Sequence, residues 1–135
     1  MDIEIGQELP GFTRQGTLHA WNRYAAVNYE FVDIHMDDEA GRRAGYPSAF
    51  GMGNVSFAWI HCMLRQWLAE RGGRIVSVAV QFRAPTLKGQ VVTAKGVVTG
   101  VRSEDGETLV DLDVWTEAEE GNRLAPGTAT VALPA

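Results

Sequence analysis

The stretch from Asn54 to Arg71 constrains this fold more than any other part of the chain. Val55, Phe57, Trp59, Ile60, Met63, Leu64, Trp67 and Leu68 make it apolar around most of a helical circumference. Such a helix has to lie inside something, because each large apolar side chain left in water forfeits about 1.5–3 kcal/mol. Residues 54–69 are therefore expected to form one continuous helix, ended by Gly72-Gly73. Its one weakly polar stripe runs through Asn54, Ala58, His61 and Arg65.

What encloses that helix is written in the next sixty residues, where the apolar period changes from helical to two. Val76, Val78, Val80 and Phe82 alternate with Ser77, Ala79, Gln81 and Arg83, the pattern of a half-buried strand. A second strand is expected over 90–102, with bends or bulges at Gly96 and Gly100. Asp105-Gly106 is a hairpin signal. Val110, Leu112 and Val114 then alternate with Asp111, Asp113 and Trp115, Gly121-Asn122 marks a turn, and Thr128–Leu133 closes the run.

Upstream, Leu18, Trp21, Tyr24, Ala25 and Asn28 recur at helical spacing over 17–28, with Thr17 as N-cap. Asp37 is placed to cap a short helix over Asp38–Ala44, which Gly45 ends. Ile3 to Phe12 is expected to hold a short N-terminal strand. Helices followed by a run of strands indicate α+β. An antiparallel meander curled around one long apolar helix is the hot-dog arrangement, expected here as a single domain over 1–135.

Composition narrows the function. A net charge of −5 without a long basic run gives no electrostatic footprint for nucleic acid. Cys62 is the only cysteine, so neither an intrachain disulfide nor a cysteine metal cluster is available, and its apolar surroundings suit a plain buried thiol. The acidic start, Met1 to Gly6, lacks the basic and apolar blocks of a signal peptide, and no apolar run approaches the roughly 20 residues of a membrane span. A cytoplasmic protein without membrane partners is expected.

The chemistry concentrates between Glu30 and Gly53. Glu30-Phe-Val-Asp33-Ile-His35 sets an acid five residues before a histidine. Phe50-Gly51-Met52-Gly53 then opens the long helix. An acid and an imidazole turned toward one pocket can move protons, while backbone N–H groups at a helix start hold a developing oxyanion. Together they suit chemistry beside a thioester carbonyl. Asp33 is the competing acid, sharing a face with His35 only if the segment is extended. Glycine at 53 lets an oxygen approach the backbone N–H at the positive end of the helix, with Gly51 as the alternative. Arg83 and Lys88 flank a turn where they could meet coenzyme A phosphates. His19, beside Trp21, suits a structural or interface role.

These residues resemble the MaoC-type dehydratase family, whose (R)-specific enoyl-CoA hydratases have the hot-dog fold. Its motif runs Asp-x-Asn-Pro-x-His, then an acid, a small residue and a His-Gly-Met-type turn into the long helix. Glu30 stands at the Asp, His35 at the His, and Asp37 and Ala40 at the following positions. Counting on without a gap puts Gly53 at the family's oxyanion glycine, with Met52 in place of the usual His. Phe82-Arg83-Ala84-Pro85 and Lys88-Gly89-Gln90-Val91-Val92 resemble the family's strand–turn–strand. Val32-Asp33 replaces Asn-Pro, so the motif is similar to the Asp-x-x-Asp-x-His of small subunits in heteromeric steroid enoyl-CoA hydratases. His61 falls near a family position that hydrogen-bonds the catalytic acid.

The resemblance implies hydration of a trans-2-enoyl-CoA to the (R)-3-hydroxyacyl-CoA by Glu30, His35 and Gly53. No metal or other cofactor is implied, since coenzyme A belongs to the substrate. Two alternatives stand beside it. One is a non-catalytic or half-catalytic partner subunit, paired as a homodimer or with a homologous hot-dog chain. The weaker one is a hot-dog acyl-CoA thioesterase, a type that uses acids on the long helix, whereas residues 54–69 hold no Asp or Glu. Acyl length, and whether the acyl group is fatty, aromatic or sterol-derived, are not written in these residues.

Overall fold

The computed structural model describes residues 3–135, so Met1 and Asp2 of the acidic N-terminal stretch lie outside it. The elements are β1 (Phe12–Gln15), α1 (Leu18–Asn28), a 3-10 turn (Asp33–His35), α2 (Asp38–Arg43), α3 (Gly53–Ala69), β2 (Arg74–Val80), β3 (Val91–Glu104), β4 (Glu107–Ala118) and β5 (Gly127–Pro134). The five strands form one antiparallel sheet in the order β1-β3-β4-β5-β2. The sheet curls around α3, giving the α+β hot-dog fold.

Local chemistry sets most of these boundaries. Thr17 accepts the Ala20 N–H at 3.0 Å to cap α1, and Asp37 accepts the Ala40 N–H at 3.1 Å to cap α2. Asp38 and Glu39 stand in the first turn of α2 and Arg42 and Arg43 in its last, each sign complementing the helix dipole. Between β3 and β4 the chain reverses through Asp105 and Gly106, both at positive φ (51° and 79°), as a two-residue primed turn requires.

The core lies between α3 and the concave face of the sheet. Val55, Trp59, Ile60, Met63, Leu64, Trp67 and Leu68 are buried from the helix, and Val92, Ala94, Val98, Val110, Leu112, Val114, Val131 and Leu133 from the sheet. The alternation of Val110, Leu112 and Val114 puts all three inside, with Asp111 and Asp113 facing away. Asn54 and Arg65 on the polar stripe are exposed, and Ala58 and His61 half-buried, so a single chain leaves one side of α3 open.

Two expectations shift. The N-terminal strand forms at Phe12–Gln15 rather than over Ile3 to Phe12, where only Glu8 makes a bridge, to Val97. In β2 the register slips between Ile75 and Ser77, so the alternation breaks. Ile75, Val78 and Val80 pack on the core while Val76 is 46% exposed, and Phe82 lies beyond the strand altogether. The single-face reading of Val76 through Phe82 therefore holds only for Val78 and Val80; an added residue at a bulge inverts the pleat.

Candidate active site

Helix α1 ends at Tyr29, which adopts the left-handed conformation (φ 54°) and turns the chain sharply. Glu30 follows, its N–H bonded to the Ala25 carbonyl at 3.1 Å. Its Oε1 accepts two side-chain amides at 2.9 Å each, from Asn28 at the end of α1 and from Asn54 in the first turn of α3. The carboxylate thus bridges the close of one helix and the start of another. Burial raises the pKa of the Tyr24 phenol, and the charge on Glu30 raises it further.

His35 ends the 3-10 turn and is buried, 8% exposed. Its Nδ1 lies 2.7 Å from the Phe50 carbonyl oxygen. A carbonyl only accepts, so Nδ1 carries the proton, and in the neutral ring Nε2 is left as the acceptor. The Phe50 ring meets the imidazole edge-on at 5.3 Å, and the Phe50 N–H is bonded to the Ile34 carbonyl. The imidazole is thereby fixed in both tautomer and plane.

His35 lines a cleft of about 280 Å³ with Tyr46, Gly51, Gly53, Phe82 and Arg83. Gly53 is the first residue of α3, and Met52 before it supplies no side-chain cap, so the helix opens with N–H groups that have no intrahelical acceptor. Gly51 donates its N–H to the Thr86 carbonyl at 2.8 Å and sits against Trp21. Glu30 is not among the cleft-lining residues. Its link to the cleft is the hydrogen bond from Asn54, the neighbour of Gly53, so the structure does not set the acid and the imidazole on one cleft wall.

The remaining candidates take other positions. Asp33 is exposed at the start of the 3-10 turn and lines no part of the cleft. The His61 Nδ1 is 2.8 Å from the Phe57 carbonyl of its own helix, and its ring packs on Phe57, two turns from Asn54. Asn54, not His61, hydrogen-bonds Glu30. Its place on the polar stripe was visible in the sequence, its partner was not. Arg83 is in the cleft wall, bonded to Gln81 at 3.3 Å. Lys88 is held by both Asp38 oxygens at 2.7 Å. The ammonium of Lys88, then the backbone N–H of Ala49, hold the Asp38 carboxyl below its usual range. That pair pins α2 to the segments leading into the cleft. Cys62 is half-buried against the core, and His19 is exposed. Among the described residues no group of three His, Cys, Asp or Glu is placed to hold a metal ion, and no helix is long and apolar enough to cross a membrane.

An imidazole with a defined acceptor nitrogen beside the N–H groups of a helix start can exchange a proton and steady an oxyanion. Residues 4–120 match the model of the MaoC like domain. The (R)-specific enoyl-CoA hydratase of Aeromonas caviae is 24% identical over 132 residues, covering 98% of this chain and 96% of that protein. The solved (R)-hydratase of A. caviae involved in PHA biosynthesis superposes with a TM-score of 0.88 at 22% identity, covering 98% of both chains. The R-hydratase PhaJ1 of Pseudomonas aeruginosa gives 0.88 at 18% identity, over 98% of this chain and 83% of that one. The ChsH1-ChsH2 complex of Mycobacterium tuberculosis gives 0.83 at 20% identity, over 96% of this chain and 98% of the matched one.

Proposed function

Because this chain belongs to the MaoC-like domain family, we propose that it adds water to a trans-2-enoyl-CoA thioester, giving the (R)-3-hydroxyacyl-CoA, or runs the reverse dehydration. The observation that carries the reading is the bond from His35 Nδ1–H to the Phe50 carbonyl, which leaves Nε2 as the acceptor on a ring lining the Gly53 cleft. Glu30 and His35 bind the attacking water. Its oxygen bonds to C3, the C2–C3 π pair moves toward the thioester oxygen, and the proton lost by water passes to one of the two bases. A proton is returned to C2. The Gly53 N–H steadies the oxygen while it bears charge, and so acts differentially on the transition state. The reaction as written needs no metal or redox cofactor. In this reading Arg83, which lines the cleft, meets a coenzyme A phosphate; Lys88 would have to leave Asp38 to serve in the same way.

The test is loss of conjugated enoyl absorbance with a panel of enoyl-CoAs differing in length and bulk. Absence of hydration with every member of the panel overturns the reading for the isolated chain.

A second reading is favoured by one observation, the open side of α3 along Asn54, Ala58, His61 and Arg65. A like chain or a homologous hot-dog subunit seated there would cover it, and the matched ChsH1-ChsH2 structure is itself a complex of two named chains. In that case activity appears only on mixing with the partner. Size-exclusion chromatography with the same assay decides between the two: an active homodimer removes the obligate heteromer.

A further inference from the structure

Phe82 is out of place by the ordinary rules of burial. It is 56% exposed, yet its ring is pressed onto Gly53, the first residue of α3. A Cβ at position 53 would lie 2.8 Å from Phe82 Cγ, 2.8 Å from Cδ2 and 3.0 Å from Cε2. Near-equal distances to three successive ring atoms mean that Gly53 meets the face of the ring, not its edge. The backbone that carries the ring is fixed. The Gln81 N–H donates to the Pro126 carbonyl and the Arg83 N–H to the Leu124 carbonyl, both at 2.9 Å, so Phe82 is clamped on either side. The ring gains little from burial in this position, and it walls the cleft that His35 lines.

We propose that Phe82 sets the width of the cleft at C2 of the bound enoyl thioester, admitting a C2 hydrogen and rejecting a C2 alkyl group. The inference rests on the hydratase reading. With the thioester oxygen about 2.7–3.1 Å from the Gly53 N–H, the carbonyl carbon and C2 lie within two bonds of that oxygen. In the proposed pose the Phe82 ring, standing beside Gly53, borders the edge of this planar unit. A methyl on trigonal C2 lies in that plane and extends its edge into the ring, whereas a substituent at C3 lies one bond further on.

The experiment compares three thioesters: crotonyl-CoA, its 2-methyl derivative and its 3-methyl derivative, with wild type, Phe82→Ala and Phe82→Leu. For Phe82→Ala the 2-methyl to unsubstituted ratio of kcat/KM is expected to rise about tenfold or more, the scale on which one methyl is sieved by a hydrophobic wall. Phe82→Leu, which keeps much of the bulk, is expected to fall between, and the 3-methyl ratio to move far less. An unchanged 2-methyl ratio in Phe82→Ala overturns the proposal, as does an equal gain for the 3-methyl compound. A wild type that hydrates crotonyl-CoA alongside such a result leaves the hydratase reading intact. If the wild type hydrates none of the three, that reading fails by itself, and calorimetric Kd ratios for the same thioesters decide the Phe82 assignment. Failure to bind any of them overturns both.

Discussion

Asn54 donates its side-chain amide to Glu30 Oε1 across 2.9 Å, joining an acid twenty-four residues upstream to the first turn of the buried helix. The acid therefore owes its position to the residue that follows Gly53. Because Asn28 donates to the same oxygen, Oε1 is the anchored atom of the carboxylate.

Asn54→Ala is expected to lower kcat/KM by about 10- to 100-fold, since displacement of a catalytic group by about 1 Å costs on that order. The thermal transition should move little, because Asn54 is exposed. Turnover equal to wild type would show that Glu30 needs no such anchor.

His35→Ala and Glu30→Ala are each expected to reduce turnover by about 100-fold or more, the effect of losing a positioned acid or base. Glu30→Asp shortens the acid and withdraws it from the two amides, so it too should slow an active enzyme. Activity gained in Glu30→Asp from an inactive wild type would favour the partner-subunit reading.

Gly53→Ala puts a methyl into the face of Phe82. The ring belongs to an exposed side chain and can swing away, so the protein is expected to fold, with reduced turnover. Combining it with Phe82→Ala removes the clash, and the pair should be non-additive by about 0.5–3 kcal/mol in a double-mutant cycle on kcat/KM. Strict additivity would mean that the two residues do not meet.

The Asp38 carboxyl is held below its usual pKa by Lys88 and by the Ala49 N–H. A carboxyl depressed in the folded state contributes stability above its unfolded pKa, about 3.9, and that contribution is lost as pH falls through the folded value. Lys88→Met should therefore lower the urea midpoint at neutral pH, and the gap from wild type should close in acid below about pH 4. The pair is solvent-facing, so added salt should narrow the gap at neutral pH as well. A gap independent of pH would assign the effect of Lys88 to its aliphatic stem.

Ile60 is fully buried against the sheet. Ile60→Ala is expected to destabilise the chain by about 2–5 kcal/mol through the cavity it leaves, read from denaturant unfolding with an unchanged m-value.

What was legible in the sequence is what depends on near neighbours. The apolar circumference of 54–69, the caps at Thr17 and Asp37, the Asp105-Gly106 turn and the inward row Val110, Leu112, Val114 are each specified within a few residues, because helical and strand periods, capping bonds and turn dihedrals are local. From them the hot-dog arrangement follows, since the long helix requires a sheet to enclose it. The Glu30–His35 spacing and the glycines at the start of α3 marked where to look. What only the tertiary structure decided is who meets whom across the chain. A single slipped residue in β2 exposes Val76, a clamp from Leu124 and Pro126 sets Phe82 on Gly53, Asn54 rather than His61 takes Glu30, and Asp38 takes Lys88 across fifty residues. Such contacts depend on strand register and on how closely α3 approaches its neighbours. Both are settled by the packing of the whole core, which no local stretch of sequence contains.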